Sequence, residues 1–167
     1  TLTLAIGDAL ATVIMSHQGF KHEDFAKLHP AGDIGRRLRL TVQEIMMPIK
    51  DVAVVKRDDN LRKVVIDMTE KPFGAALVLN NNGDLQGIVT EGDLRRCLAE
   101  NGDIDKMLAS EIMSINPISI NIKAPLREAL TLMEERESQI SVLPVVNDDE
   151  KLCFGLLRLH DVYQTHL

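Results

Sequence analysis

One stretch of this chain occurs twice. The first copy opens at Glu44-Ile45-Met46 and closes at Gly87-Ile88-Val89-Thr90-Glu91-Gly92-Asp93-Leu94. The second opens at Glu111-Ile112-Met113 and closes at Gly155-Leu156-Leu157-Arg158-Leu159-His160-Asp161-Val162. The openings lie 67 residues apart and the closings 68, with small internal shifts such as Asn60-Leu61-Arg62 against Pro125-Leu126-Arg127. A solenoid needs about three or more repeats to bury a continuous core, so two copies specify a pair of like units about a pseudo-twofold axis.

Within each copy the residue pattern gives the same order of elements. Val52 to Lys56 is a short β-branched strand, and Asp59 is placed to cap a helix whose Leu61, Val64, Val65 and Met68 recur at i, i+3, i+4 and i+7. Ala75 to Leu79 and Leu85 to Val89 flank Asn80-Asn81-Asn82-Gly83-Asp84, which has hairpin chemistry, and Asp93 to Glu100 is a second helix. The linker over 104–116 holds a one-turn helix at Glu111-Ile112-Met113 with Ser110 as its cap. The second copy then runs Ile118 to Ile120, a helix from Leu126 to Glu135 with the stripe Leu126, Ala129, Leu130 and Met133, Ser141 to Val146, an acidic turn at 148–150, Leu152 to Leu157, and a helix from Leu159. The expected fold class is α/β (α+β), two βαββα repeats.

Charge and composition exclude several function classes. The chain of 167 residues carries a formal net charge of −6, and residues 1–40, with five Lys/Arg against four Asp/Glu, leave about −7 for the repeated part. A duplex phosphate backbone is therefore not an expected partner, and one Tyr, four Phe and no Trp make a poor base-stacking platform. Cys97 and Cys153 lack the spacing of a metal site and read as small buried apolar residues. Met46, Met47, Met68, Met107, Met113 and Met133 read as adaptable core filler rather than soft-metal ligands, so no metal site is expected. No apolar run approaches the ~20 residues needed to cross a bilayer, and no signal peptide opens the sequence, so the expected location is the cytoplasm, with no membrane partner.

The closing motif of each copy is where chemistry is expected. Gly87-x-x-Thr90-x-x-Asp93 sets a hydroxyl and a carboxylate where a strand hands over to a helix. A carboxylate accepts hydrogen bonds from the vicinal hydroxyls of a ribose, and free backbone N–H groups at a helix start attract phosphate. The same spacing is also that of a capping box, in which the two side chains serve only the helix. The second copy keeps Asp161 but has Arg158 in place of Thr90. Arginine has no acceptor and cannot cap, so Arg158 either meets a phosphate or sugar carboxylate or is an ordinary solvated cation. Two unlike clefts are expected, with Thr90 and Asp93 the better ribose site.

Ahead of the repeats, Leu4 to Ser16 is nearly all apolar apart from Asp8 and Thr12, which predicts a helix buried on most sides and stopped at Gly19. Short helices are expected at 22–28 and 33–38, either side of the turn His29-Pro30-Ala31-Gly32, with Asp33 as a cap. His17, His22, His160 and His166 read as surface or capping residues.

Gly7-Asp8-Ala9-Leu10-Ala11, Gly19-Phe20, Glu23-Asp24-Phe25-Ala26 and His29-Pro30-Ala31-Gly32-Asp33-Ile34-Gly35-Arg36-Arg37-Leu38 resemble the end of the sugar isomerase (SIS) domain of bacterial arabinose-5-phosphate isomerases. The family pattern has a second Gly where Ala31 stands. The resemblance continues through both repeats, which in that family are CBS domains. It implies a remnant of the SIS domain over 1–40, a first CBS domain over 41–103 and a second over 104–167. It also implies a parent reaction, the interconversion of D-arabinose 5-phosphate and D-ribulose 5-phosphate in Kdo biosynthesis, with His29 in the active site of the full-length enzyme. The catalytic carboxylates and phosphate loop expected of an SIS domain do not occur in this sequence, so the chain alone is expected to be inactive.

The expected activity is regulatory binding of a nucleotide or nucleotide-sugar, such as CMP-Kdo or an adenine nucleotide, by Thr90, Asp93, Arg158 and Asp161, without a cofactor. The rival expectation is a ligand-free module that joins isomerase subunits as a homodimer or homotetramer.

Overall fold

The computed structural model describes residues 2–19, 40–100, 106–147 and 152–165, and the chain divides into two compact units, 1–39 and 40–167. In the first unit, helix α1 (Leu2–His17) ends where Gly19 takes a φ of 63°, the left-handed conformation that glycine adopts without a Cβ penalty. None of its residues is buried, against the expectation of a helix enclosed on most sides, because no other described residue of this unit covers its apolar surface. The segment 20–39, with His29, His22 and both expected short helices, lies outside the described residues.

The second unit contains both repeats. After helix α2 (Val42–Ile45), strand β1 (Met47–Pro48) and a 3-10 turn (Ile49–Asp51), the first repeat runs β2 (Ala53–Val55), α3 (Leu61–Glu70), β3 (Ala75–Leu79), β4 (Leu85–Thr90) and α4 (Glu91–Ala99). After α5 (Ala109–Ile112) and β5 (Ser114–Ile115), the second repeat runs β6 (Ile120–Asn121), α6 (Leu126–Glu134), β7 (Val142–Val146), β8 (Cys153–Arg158) and α7 (Leu159–Gln164). Each repeat is thus a βαββα unit.

The strands form two sheets of the same order, β2-β3-β4-β5 and β6-β7-β8-β1. In each, the first pair is parallel, as a helical crossover requires, and the other pairs are antiparallel. The edge strands are exchanged. Strand β1 precedes the first repeat yet pairs with β8, Met47 opposite Leu156, while β5 precedes the second repeat and pairs with β4, Ile115 opposite Gly87. The helices next to them follow: Val42 is buried in the second core and Ala109 in the first.

Strand alternation divides the apolar residues among three cores. On β3, Ala76 and Val78 face the first helical core, with Leu61, Val64, Met68, Val89 and Cys97. On the other face Ala75, Leu77 and Leu79 meet Ile88, Val146, Cys153 and Leu156, a core that joins the two repeats. Leu143, Val145 and Leu157 turn to the second helical core with Leu126, Ala129, Met133 and Val162. A strand buried on both faces reads as a continuous apolar run, as Ala75 to Leu79 does. Burial raises the Cys153 thiol to a pKa of about 11, only partly offset by the backbone of Gly155.

Local chemistry departs from the sequence reading at three points. Helix α3 is capped by Asn60, whose Oδ1 accepts from the Lys63 N–H at 2.9 Å, not by Asp59. Asp59 instead accepts from the Lys56 N–H and the Lys63 ammonium, both at 2.8 Å. Val65 is 37% exposed, since only Leu61, Val64 and Met68 of its stripe reach the core. In the linker, α5 starts one residue before Ser110, and the Glu111 carboxylate reaches back to the Leu108 N–H at 2.6 Å. The loop between β3 and β4 is organised by Asn80, whose side chain accepts from the N–H groups of Asn82 and Asp84 at 2.8 and 2.9 Å, with Gly83 at φ 87°. The acidic turn at 148–150 lies outside the described residues.

Candidate functional site

The motif glycines of the two closing sequences serve the strand exchange. A Cβ on Gly155 would lie 2.0 Å from the Met47 carbonyl oxygen, and one on Gly87 2.9 Å from that of Ser114. Both glycines admit the backbone of an exchanged strand beside them. This fixes the two strand ends that carry Thr90 and Arg158.

At the end of β4, Thr90 and Asp93 form a capping box. The Asp93 Oδ2 accepts from the Thr90 N–H at 2.8 Å and its hydroxyl at 2.7 Å, and the Thr90 oxygen accepts from the Asp93 N–H at 3.3 Å. The other carboxylate oxygen pairs with Arg96, whose side chain is 70% exposed. Asp93 itself is 8% exposed and is the buried charged residue among those described.

At the end of β8 the arrangement differs as the residue change dictates. Arg158 makes no cap to α7. Its Nε and Nη2 donate to the two oxygens of Asp161 at 2.7 and 2.6 Å. Its Cζ stands 4.8 Å from the centroid of the Phe73 ring, a cation–π distance. The bidentate bond to Asp161, opposed by partial burial, raises the Arg158 pKa above its ordinary value, so the group is a permanent cation.

Thr90 and Arg158 line one cleft of about 870 Å³ between the repeats, where two unlike clefts were expected. Its walls are apolar where Phe73, Ile88, Ile140 and Pro144 stand, and its cations are Arg95 and Arg158, with Glu91 the carboxylate among the lining residues. Asp93 and Asp161 do not line it; they hold Thr90 and Arg158 from behind. A volume of this size, largely apolar with a few convergent polar groups, suits a small organic ligand bearing an anion.

Sequence reasoning missed Phe73, Arg95 and Ile140, and read His160 as a surface or capping residue without the cleft it lines. The duplication carries the signal for two of them: Phe73 and Ile140 stand 67 residues apart, at matching positions before β3 and β7. The backbone bonds beside them match too, from the Glu91 N–H to the Gly74 carbonyl and from the Leu159 N–H to the Ser141 carbonyl. Among the described residues no His, Cys, Asp or Glu cluster could hold a metal ion, and no helix is long and apolar enough to cross a membrane.

Comparison with known proteins agrees with this architecture. The chain is 36% identical over 162 residues to the arabinose 5-phosphate isomerase KdsD of Pseudomonas aeruginosa, a match covering 97% of this chain and 49% of that protein. It is 38% identical over 167 residues to KdsD of Francisella tularensis, covering all of this chain and 50% of the relative. It thus spans about half the length of these relatives. Among solved structures, CBSX2 in complex with AMP superposes with a TM-score of 0.63 at 23% identity, covering 75% of this chain and 95% of that one. A CBS domain pair in complex with 5′-methylthioadenosine and S-adenosyl-L-methionine gives 0.66 at 21% identity, covering 76% and 95%. At such identities these two similarities establish the fold. The CBS domain model matches residues 42–100 and 109–165, most of the chain and both copies of the duplication, and the chain belongs to the CBS domain family.

Proposed function

We propose that this chain is the regulatory CBS pair of an arabinose-5-phosphate isomerase and that it binds a nucleotide or nucleotide-sugar in the cleft between its repeats. The observation that carries this reading is the convergence of Thr90 and Arg158, the unlike residues of two copies of one motif, on a single apolar cleft with two cations. Asp93 and Asp161 complete the binding set by orienting them. Solved CBS pairs of this fold hold AMP or S-adenosyl-L-methionine, which makes an adenine nucleotide the first ligand to try; CMP-Kdo follows if the module senses the end of the Kdo pathway. The active site of the parent enzyme includes His29, and the parent is a cytoplasmic homo-oligomer. Fold alone does not assign a ligand, so the reading rests on the residues of the cleft.

A second reading is supported by the engagement of the Asp93 carboxylate within the protein, at Thr90 and Arg96. On that reading the motif only caps α4, and the module joins subunits without a ligand. Calorimetric titration with AMP, ATP, CMP and CMP-Kdo separates the two. Saturable binding of one of them supports the first, and no binding of any at millimolar concentration supports the second.

A further inference from the structure

The loop that turns β3 into β4, Asn80-Asn81-Asn82-Gly83-Asp84, takes no part in the cleft, which is lined from the other end of those two strands. It nevertheless joins the repeats. The Gly83 carbonyl accepts from the Cys153 N–H of β8 at 3.1 Å, Asp84 bridges to Leu152, and a Cβ on Gly83 would lie 3.0 Å from the Leu152 Cδ1. A change in the main chain of this loop is therefore felt in both halves.

The three asparagines of the loop are not equivalent. Asn80 is tied at both ends of its carboxamide: Oδ1 accepts from the N–H groups of Asn82 and Asp84 at 2.8 and 2.9 Å, and Nδ2 donates to the Asp84 carboxylate at 2.7 Å. Asn81 precedes a residue with a side chain. Asn82 is exposed, and among the described residues no hydrogen bond engages its side chain. It is followed by Gly83 at a φ of 87°, so no Cβ shields the Gly83 nitrogen from the Asn82 Cγ. Elsewhere the Oδ1 atoms of Asn60 and Asn121 accept from the N–H groups of Lys63 and Lys123 at 2.9 and 2.7 Å, and Asn116 precedes Pro117, whose nitrogen has no proton to lose. The Gly83 N–H is held by the Asn80 carbonyl at 3.1 Å, and that bond must open before the nitrogen can react. In a surface turn one backbone hydrogen bond protects by no more than about tenfold.

We infer that Asn82 is a site of spontaneous deamidation and that its conversion loosens the joint between the repeats. The Gly83 nitrogen, its proton lost to base, attacks the Asn82 Cγ. The N–Cγ bond forms, the Cγ–Nδ2 bond breaks, and ammonia leaves with a proton taken from water. A second water opens the five-membered imide. Cleavage of the new bond at Cγ leaves aspartate in an unchanged main chain. Cleavage of the old bond at the main-chain carbonyl carbon leaves isoaspartate, whose main chain runs through Cγ and is longer by one methylene. The sum is carboxamide plus water giving carboxylate plus ammonium, with no change of oxidation state. Either product adds a negative charge two residues from Asp84, in a chain whose net charge is already −6. Isoaspartate also displaces Gly83 from Cys153 and Leu152, which is where the repeats meet at this end.

The test is incubation of the folded chain at mildly alkaline pH, with tryptic peptide mapping by mass spectrometry and melting temperature followed over time. A synthetic peptide of residues 78–86 and the variants Asn82→Gln and Asn80→Ala are treated alongside. A second Asn-Gly pair, Asn101-Gly102, lies outside the described residues and falls in a different tryptic peptide, so the two are read separately. Conversion at position 82 is expected at a rate within about tenfold of that of the peptide. It should give both aspartate and isoaspartate, told apart by an aspartate-specific protease, and the melting temperature should fall as isoaspartate accumulates. Asn82→Gln, which would need a six-membered ring, should suppress both changes. Asn80→Ala, which releases the turn, should bring the rate closer to that of the peptide. An unmodified position 82 once the peptide has converted fully would overturn the site. Conversion that leaves the melting temperature unchanged, or an equal loss in Asn82→Gln, would overturn its effect on the joint.

Discussion

The guanidinium of Arg158 lies over the ring of Phe73, its Cζ 4.8 Å from the ring centroid. The two residues come from different repeats, so the wall of the cleft is itself a contact between halves of the module. Asp161 fixes the cation in its plane and Phe73 fixes it from the face. The site therefore depends on how the repeats are joined, and the exchanged edge strands β1 and β5 do much of that joining.

Adding a methyl group where an exchanged strand passes should separate the halves. Gly155→Ala meets backbone, the Met47 carbonyl oxygen at 2.0 Å, and should cost roughly 1–3 kcal/mol or more of unfolding free energy. Gly87→Ala meets the Met113 sulfur at 2.8 Å as well as the Ser114 oxygen at 2.9 Å. The flexible methionine gives way more easily than backbone, so its loss should be smaller. Urea unfolding of both variants checks the order, and equal stability of Gly155→Ala and wild type would contradict the close packing of β1 on β8.

Acid stability should carry a contribution from Asp59. Burial acts to raise its pKa, but the Lys56 N–H and the Lys63 ammonium together outweigh it, and the folded value lies below the ordinary 3.8. A depressed folded pKa contributes stability that is present above the unfolded value and is lost as pH falls through the folded one. Its partner Lys63 is raised above 10.5, chiefly by the hydrogen bond to Asp59, so its contribution is present at neutral pH and lost only at the alkaline end. Asp59→Asn should therefore lower stability at pH 6 and narrow its gap to wild type as pH falls from about 4 toward 2. Thermal unfolding across that range checks it; a constant gap would contradict the assignment.

On the proposed function, His29 acts only in a full-length isomerase. The purified chain should not interconvert arabinose 5-phosphate and ribulose 5-phosphate. His29→Ala in the parent should lower turnover by about a hundredfold or more, the contribution typical of a positioned acid or base. Unchanged turnover would remove His29 from the active site.

The duplication made much of the fold legible, because each copy carries its own alternation and helical stripe. The run Ala75 to Leu79 and the stripe Leu61, Val64 and Met68 state their burial directly. Strands β1 and β5 were not legible: two residues are too few to show a period, and their pairing is set by what lies beside Gly155 and Gly87 in space. Asp59 and Asn60 are both good caps, and only the backbone geometry decides for Asn60. At the site, the substitution of Arg158 for Thr90 announced an asymmetry, whereas Phe73 showed only as the counterpart of Ile140 in the duplication, with nothing in its residue type to mark a cleft. The meeting of both copies at one cleft is a property of how the repeats pack.

The most direct test of the site is AMP affinity and melting temperature measured together on Asp93→Ala. If Asp93 serves the ligand, by a ribose or through the Thr90 that it holds in the cleft wall, its loss removes charge-assisted hydrogen bonds of about 1.5–3 kcal/mol and weakens AMP roughly ten- to a hundredfold in the folded variant. If it only caps α4, stability falls by about 1 kcal/mol. A lowered melting temperature with AMP affinity equal to wild type would contradict the binding account.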